Sequence, residues 1–208
     1  MSRPRAHTRS SPSEARILDA AARLLGRNPF HAITVEQILK ESGLSRGNFY
    51  FYFSSKFDVL AALMWRVYDD LFATMTPWLD DDGSDPIGAL RDSFSAGAAA
   101  WEVHGKVAGA LLESVGSNRQ LTDLWDELVE RAVESISAKI DTERARGAAP
   151  PGADSQVLAA VITRGVQKIL YLGLNGTHPE LPTLSATTDG ILKIGIAAVY
   201  GRGKLAES

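Results

Sequence analysis

The side chains best suited to hydrogen-bond DNA are concentrated in one short stretch of this sequence, residues 45–52. Arg46 and Asn48 are of the two types that pair with guanine and adenine edges in the major groove. The hydroxyl groups of Tyr50 and Tyr52 can donate to phosphate oxygens. The stretch therefore predicts a helix that inspects bases with its first turn and holds the DNA backbone with its tyrosines.

Elements that can position these side chains surround them in the sequence. Thr34 and Gln37 form a Thr-x-x-Gln capping box at the start of one short helix, and Gly43 suits the left-handed conformation that ends it. Ser45 can cap a second helix. Lys56 follows two serines at the start of a third, beside a helix N-terminus where phosphate binds readily. The pattern is that of a helix-turn-helix. The predicted DNA contacts are Thr34, Ser45, Arg46, Gly47, Asn48, Tyr50, Tyr52 and Lys56.

The run from Gly43 to Lys56, GLSRGNFYFYFSSK, resembles the signature of the tetracycline-repressor (TetR) family of bacterial transcription regulators. Its order of glycine, serine, paired aromatics and lysine is specific, and the resemblance extends over residues 13–62. Tyr52 stands where the family often has histidine, so the detail of that phosphate contact differs. Short stretches near the C-terminus, such as 140–150, resemble the mycobacterial ethionamide-activation regulators within this family. The resemblance implies a homodimer that binds a double-stranded DNA operator, usually as a repressor that a ligand releases.

The resemblance also implies a long, mostly apolar ligand channel, in which asparagines of the eighth helix hold a ligand carbonyl. An approximate alignment puts Thr163 and Val166 at those positions here, so the small apolar effector can differ. Large aromatics on separate predicted helices, with two polar side chains, are candidates to line the channel, although such aromatics also fill ordinary cores. The candidate ligand contacts are Phe94, Trp101, Trp125, Gln167, Tyr171 and Asn175.

The hydrophobic pattern predicts an all-α protein of about nine helices, because no stretch alternates apolar and polar residues in the manner of a strand. We expect a disordered basic N-terminal arm over residues 1–12, a helix-turn-helix DNA-binding domain over 13–58, and a ligand-binding and dimerisation domain over 59–208. The arm carries three arginines and no acidic residue. It either reaches along the duplex or is a solvated tail without function.

Beyond the helix-turn-helix, apolar spacing and chain breaks set the expected helix boundaries. The predicted helices are 13–26, 55–75, 86–103, 105–115, 118–146, 153–174 and 183–200. The last two are apolar nearly all round, and glycines at positions 165, 173, 190 and 195 permit close approach of helices. A partner subunit should therefore cover them, so that a homodimer forms through these two helices and binds a pseudo-palindromic operator.

The distribution of charge agrees with DNA binding at one end of the chain. The net charge is −3, but residues 1–60 carry nine basic and five acidic side chains, and the remainder carries 13 and 20, which gives +4 and −7. A basic segment joined to an acidic body is typical of a protein with one DNA-binding end. The chain has no cysteine and no apolar run long enough to cross a membrane, so we expect a cytoplasmic, nucleoid-associated protein without a membrane partner.

Sequence patterns typical of catalytic, metal and cofactor sites are missing, so we expect a protein that is not an enzyme. The four histidines are not spaced for metal binding, and neither a nucleophile elbow nor a phosphate-binding loop occurs. The acidic loop 80–86 lacks the terminal glutamate of a calcium loop, so we interpret it as a solvated turn. Two other functions stay open: a helical small-molecule-binding protein without operator binding, and a DNA-binding protein without ligand control.

Overall fold

The computed structural model describes residues 11–175, 178–181 and 183–201, without the side chains of residues 174 and 175. Within this part of the chain there are nine α-helices and one 3-10 turn, Phe30–Ala32, and no strand. The prediction of an all-α fold is confirmed. The helices are α1 (Pro12–Leu25), α2 (Val35–Ser42), α3 (Arg46–Tyr52), α4 (Lys56–Ala73), α5 (Thr76–Leu79), α6 (Pro86–Ser114), α7 (Arg119–Ala145), α8 (Ser155–Asn175) and α9 (Leu184–Tyr200).

The predicted caps of the helix-turn-helix are confirmed. The Thr34 hydroxyl accepts from the Gln37 backbone N–H at 3.2 Å, and the Gln37 side chain accepts from the Thr34 N–H at 2.8 Å. Gly43 ends α2 with φ of 66°, in the left-handed region that a glycine adopts at little cost. The Ser45 hydroxyl then accepts from the Asn48 N–H at 3.3 Å and starts α3. Local sequence therefore sets both ends of the turn.

Two features of the helix pattern differ from the prediction by more than a shift of one or two residues at a helix end. The expected break between two helices near Gly105 does not exist, because α6 runs without interruption from Pro86 to Ser114. Gly105 is buried inside it, and the burial of Trp101, Val107 and Ala108 in the adjacent turns outweighs the modest cost of a glycine within a helix. The long helix α4 ends at Ala73, and a single further turn, α5, follows. Its Trp78 is only 2% exposed, so tertiary packing holds a turn too short for the sequence to indicate.

The chain divides into two compact units. The first contains the chain up to Val67 together with Lys106–Thr122, and the second contains Tyr68–Gly105 and the chain from Asp123 onward. The predicted domain boundary at residue 58 therefore falls inside the first unit, within α4. No helix in the described ranges is both long and apolar enough to span a membrane.

The core of the first unit lies where α1 contacts α2 and α3. Ile17 of α1, Ile38 of α2 and Phe49 of α3 are at most 1% exposed. Burial of side chains of this size stabilises by about 1.5–3 kcal/mol each. The three helices are thus held by one shared apolar centre.

The core of the second unit is closed by a hydrogen-bonded pair of aromatics. The Trp78 indole N–H donates to the Tyr200 hydroxyl at 2.7 Å, and both side chains are buried. Burial raises the pKa of Tyr200, so its hydroxyl stays neutral. Ile140 of α7 and Ile196 of α9 belong to the same apolar cluster, and neither is exposed. This cluster joins α5, α7 and α9.

A buried ion-pair network surrounds this core. The Lys139 ammonium lies 2.9 Å from Glu143 Oε1 and donates to the Asp81 backbone carbonyl at 2.6 Å. Arg146 pairs with Glu143 Oε2 and with the Asp81 carboxylate. Glu143 is not exposed, and the Asp81 side chain is 7% exposed. The expectation of a solvated acidic turn is therefore wrong for Asp81, whose buried carboxylate completes a cluster with Lys139, Glu143 and the partly exposed Arg146.

We expect Glu143→Gln to lower the free energy of unfolding by about 3–5 kcal/mol, because buried Lys139 and partly buried Arg146 would lose their main counter-charge. Burial alone would raise the pKa of Glu143, but hydrogen bonds from Arg146 and Lys139 outweigh it and lower the pKa below 4.5. As the pH falls below 4.5, Glu143 becomes protonated in the unfolded state while it stays ionised in the folded state. The wild-type protein therefore loses stability. Urea unfolding of both proteins at neutral pH measures the first effect, and urea unfolding of the wild type at stepwise lower pH measures the second.

The matched control is Glu127→Gln. Glu127 makes an exposed i,i+4 pair with Arg131 on the same helix, and its loss should cost at most about 1 kcal/mol. Equal losses of stability in the two variants would contradict the assignment of the buried network.

Candidate nucleic-acid interface

Helix α3 has one buried side and one exposed side, although it carries an unbroken run of aromatics. Phe49 is fully buried and Phe53 is 6% exposed, and their ring centroids lie 6.0 Å apart. These two buried rings form the inner side of the helix. Tyr50 and Phe51 are 51% and 80% exposed, whereas Tyr52 is half-buried. The burial of Phe49 thus directs the rest of the helix towards solvent.

The predicted base-reading residues lie together on this exposed side. Arg46, Gly47 and Asn48 form the first turn of α3, and all three are exposed. The Arg46 guanidinium donates to Glu36 Oε1 at 2.6 Å, with both side chains about two-thirds exposed. An exposed pair of this kind contributes at most about 1 kcal/mol, so a nucleic-acid acceptor can compete for the guanidinium.

Glu36 is a functional candidate that the sequence analysis missed. It lies in the first turn of α2, where an acidic residue also suits the helix dipole. Its carboxylate holds Arg46 across the gap between α2 and α3. The only sequence signal was an acidic residue close to the capping box, and nothing in its spacing indicated Arg46 as its partner.

The cap hydroxyls of Thr34 and Ser45 are exposed but already accept one hydrogen bond each from the backbone. A hydroxyl that accepts an N–H keeps its own O–H free to donate. Both side chains can therefore fulfil the cap and still donate to a phosphate oxygen at the surface.

Lys56 occupies a different environment from the one predicted. Its ammonium donates to the backbone carbonyls of Phe30, His31 and Ile33 at 3.1, 3.1 and 2.7 Å. Those three bonds use every N–H of an ammonium group. Burial lowers the pKa of Lys56. In place of the predicted phosphate contact, this geometry favours a positioning role, in which Lys56 ties the start of α4 to the 3-10 turn before α2.

Several basic residues of this unit are also engaged within the protein. Arg23 and Arg27 both pair with Glu41, at 2.8 and 3.0 Å, and Arg16 donates to the Ser42 carbonyl at 2.7 Å. The hydrogen bond from Arg23 lowers the pKa of Glu41. These arginines attach α1 to the end of α2. The excess of positive charge counted in the sequence is therefore partly used for packing the helices.

The predicted ligand contacts lie in the second unit and differ in their surroundings. Trp101 and Trp125 are 7% and 8% exposed, and Phe94 packs on the apolar core cluster. The Tyr171 ring is half-buried beneath the Lys168 ammonium, 5.0 Å from its centroid. The side chain of Asn175 lies outside the described residues. Trp101 and Trp125 are thus core residues, Phe94 packs against the core, and Tyr171 lies partly at the surface.

Two polar atoms on α8 are buried without a hydrogen-bond partner. They are Thr163 Oγ1 and Gln167 Oε1, one helical turn apart on the same side of the helix. Thr163 is 7% exposed. A buried polar atom without a partner costs about 1–3 kcal/mol, which a bound hydrogen-bonding group would recover. Of the predicted ligand contacts, Gln167 therefore has the clearest structural signal, and Thr163 joins it.

In the described part of the chain, no group of three or more His, Cys, Asp and Glu side chains is arranged to hold a metal ion. The arrangement built so far is a capped helix-turn-helix with an exposed polar helix, attached to a helical body. That is the construction of a helix-turn-helix transcription regulator.

Comparison with family models gives the same class and a more specific family. The model for bacterial regulatory proteins of the tetR family matches residues 17–63, and the model for the C-terminal domain of transcriptional regulator EthR matches residues 90–201. The chain belongs to the TetR family of transcriptional regulators, in the EthR branch. The resemblance found in the sequence is confirmed.

Individual relatives agree with this assignment. The HTH-type transcriptional regulator EthR of Mycobacterium tuberculosis is 28% identical over 97% of this chain and 95% of its own length. EthR of Mycolicibacterium smegmatis is 29% identical over 95% of this chain and 93% of its own. Among solved structures, a complex of SmeT with triclosan superposes with a TM-score of 0.71 at 23% identity, covering 90% of this chain and 91% of SmeT. SmeT is the repressor of a Stenotrophomonas maltophilia multidrug efflux pump.

Replacing Lys56 by methionine separates a positioning role from a phosphate contact. We expect the free energy of unfolding to fall by roughly 1–3 kcal/mol, because three carbonyls lose their charged donor. Affinity for DNA should fall for all sequences alike, and the slope of log K against log salt should not change. A phosphate contact would instead reduce that slope by about one.

Lys40→Met is the matched control, since Lys40 is an exposed lysine on α2. It should leave the stability unchanged. Chemical denaturation and fluorescence-anisotropy titrations at several salt concentrations measure both quantities. A smaller salt slope with full stability in the Lys56 variant would restore the original prediction.

Proposed function

We propose that this regulator binds a pseudo-palindromic operator as a homodimer, represses transcription, and is released by a small, mostly apolar molecule. The observation that carries the proposal is the exposed first turn of α3, where Arg46 and Asn48 stand on a helix anchored by buried Phe49. A helix fixed on one side and polar on the other suits insertion in the major groove.

In this proposal the exposed residues divide the work of recognition. Arg46 and Asn48 inspect base edges, because they can pair bidentately with guanine and adenine. Tyr50, Tyr52 and Thr34 hold phosphates through their hydroxyls, which fixes the register of the protein on the duplex. Ser45 caps α3, and Gly47, which has no side chain, lets α3 approach the DNA closely. Lys56 acts indirectly, by holding the loop before α2.

An exposed apolar face on α8 and α9 supports dimerisation. Val157 and Val161, one turn apart on α8, are 58% and 66% exposed, and Ile194 of α9 is 65% exposed. A Cβ atom added at Gly165 or Gly190 would meet no atom within 4 Å, so neither glycine is needed for packing within the chain. Valines and glycine at four-residue spacing on α8, with glycine and isoleucine at the same spacing on α9, suit close contact with helices of a second copy.

Of the other two predicted glycines, Gly173 has a role within the subunit, whereas a Cβ atom at Gly195 would make only an ordinary contact. A Cβ atom at Gly173 would lie 3.1 Å from Thr187 Oγ1, and one at Gly195 would lie 3.7 Å from the Phe94 ring. Gly173 therefore permits the contact of α8 with α9. Of these four glycines, Gly173 serves packing inside the chain, and Gly165 and Gly190 are left to a partner.

The orphaned polar atoms Thr163 Oγ1 and Gln167 Oε1 support ligand control. A mostly apolar ligand carrying one polar group would satisfy them, which is the usual chemistry of small-molecule sites. SmeT, a protein of the same fold, has been solved with triclosan, which gives a precedent for a ligand of that kind. Such a ligand can release DNA only if it binds more tightly to the conformation that fits DNA less well.

The remaining parts of the proposal follow from DNA binding. We place the protein in the cytoplasm on the nucleoid, as a regulator and not an enzyme. Residues 1–10 of the N-terminal arm, with Arg3, Arg5 and Arg9, lie outside the described residues and are proposed as an accessory DNA contact, whereas Ser11 and Pro12 already form the start of α1. The two alternatives, a ligand carrier without operator binding and a DNA binder without ligand control, differ from the proposal in measurable ways.

A titration of labelled DNA tests the proposal directly. Fluorescence anisotropy would be measured with the DNA upstream of the protein's own gene and with a random duplex, each at several salt concentrations. We expect tighter binding to the upstream DNA, with a linear dependence of log K on log salt. A ligand carrier would bind neither duplex, and a DNA binder without ligand control would stay bound in a screen of apolar compounds.

Arg46→Ala is expected to cost about 1–3 kcal/mol in operator binding and to relax base preference at one position of each half-site. Competition titrations with single-base operator variants measure this loss. Arg66→Ala is the control, because Arg66 is also an exposed arginine of the first unit in an ion pair, with Asp19, but lies on α4. If both variants bound all duplexes like the wild type, Arg46 would not be a base-reading residue.

Val161→Glu is expected to convert the dimer into monomers, because an unpaired carboxylate would be buried in the interface between subunits. Analytical ultracentrifugation measures the mass of each variant. Val103→Glu is the control, since Val103 of α6 is 74% exposed and lies outside the proposed interface. A Val161 variant that remained dimeric, or a wild-type protein that was monomeric, would contradict the interface.

A further inference from the structure

Phe51 is the most exposed large apolar side chain in the described part of the chain. It is 80% exposed, more than Val103 at 74% or Ile194 at 65%. Its described ring contact is an edge contact with Tyr52, with centroids 4.9 Å apart. A phenylalanine left in water forgoes the stabilisation that burial of its ring would provide. The exposed ring therefore indicates a contact with a binding partner outside the chain.

The ring lies in the middle of the exposed side of α3. Phe51 is two residues after Phe49, which is fully buried, so the two rings point to nearly opposite sides of the helix. Phe51 is also three residues after Asn48 and four after Gly47, so these three share one face. The ring is thus flanked by a side chain that the proposed function directs to the bases.

Gly47 on the same face has no structural reason to be glycine. It is not among the residues with positive φ, and a Cβ atom added there would meet only Ser45 Oγ, at an unstrained 3.9 Å. A glycine within a helix is less stable than alanine, since its backbone loses more entropy. The lack of a side chain at Gly47, next to the protruding Phe51 ring, is useful only if another surface approaches α3 closely.

The chemistry of that surface follows from its neighbours. Arg46 and Asn48 make the surroundings of the ring polar, which does not suit an apolar protein partner. The major groove presents the same mixture, because each thymine adds an apolar C5-methyl group beside polar base edges. We infer that Phe51 contacts a thymine methyl group in each half-site and that Gly47 lets α3 approach the bases closely enough for this contact. The inference rests on the proposed function.

Replacement of thymine by deoxyuridine tests the contact, because it removes only the methyl group. Each thymine of the operator would be replaced in turn, at symmetric positions of both half-sites. We expect one pair of replacements to weaken wild-type binding by about fourfold per half-site, the effect of one buried methyl group. Phe51→Ala should bind the thymine operator more weakly and should show no further loss on the uridine operator. Thermal unfolding would verify that this exposed substitution leaves the fold intact.

Three results would overturn the assignment. Wild-type binding could be insensitive to uridine at every position, which would show that Phe51 contacts no thymine methyl group and would favour a protein partner for the ring. The uridine loss could be equal in wild type and Phe51→Ala, which would assign the methyl contact to another residue. Phe51→Ala could weaken binding to operator and random DNA by the same factor, which would make the ring a backbone contact. A wild-type protein without operator preference would instead remove the proposed function and this inference with it.

Gly47→Ala supplies an independent readout with the opposite effect on stability. The added methyl group should leave Tm unchanged or raise it, since alanine favours a helix. Operator binding should nevertheless weaken severalfold, because the methyl group would hold α3 away from the groove. Unchanged operator affinity in this variant would overturn the role assigned to Gly47.

Discussion

The geometry of the DNA-binding unit depends on the burial of one side chain, Phe49. Its ring fills the centre between α1, α2 and α3 and is fully buried. A seven-residue helix with four consecutive aromatics has no apolar stripe of its own, so packing against other helices must set its rotation about its axis. Once Phe49 is buried, the face that carries Gly47, Asn48 and Phe51 points to solvent. Every proposed contact of α3 follows from that single orientation.

Charge is used in two ways in this protein, and its count along the sequence does not distinguish them. In the first unit, Arg23, Arg27 and Lys56 bind acceptors within the chain and fix α1, α2 and α4. In the second unit, Glu143 is fully buried among cations. Buried charges require partners with good geometry, whereas exposed ones such as Arg46 keep weak pairs that a ligand can replace. The exposed and weakly paired groups are therefore the functional candidates.

The differences between prediction and structure have a common physical origin. The expected break at Gly105 and the missed helix α5 both depend on side chains far away in sequence. A glycine is tolerated in the middle of α6 because Trp101 and Ala108, one turn before and after it, are packed in the core, and Trp78 orders a single turn because it donates to Tyr200. Propensity is a weak guide wherever long-range packing of this kind contributes more than local preference. The predicted count of about nine helices holds only because one merged pair and one added turn offset each other.

By itself the sequence determined the local features: the Thr34 capping box, the left-handed Gly43, the Ser45 cap and the family signature between Gly43 and Lys56. Such features depend on residues within a few positions of one another, so their spacing is sufficient evidence. The tertiary structure decided which side chains are available to bind DNA or a ligand. It committed Lys56 to three carbonyls, paired Arg46 with Glu36, left Thr163 and Gln167 without partners and exposed Phe51. Availability depends on contacts between distant segments, and those exist only once the chain has folded.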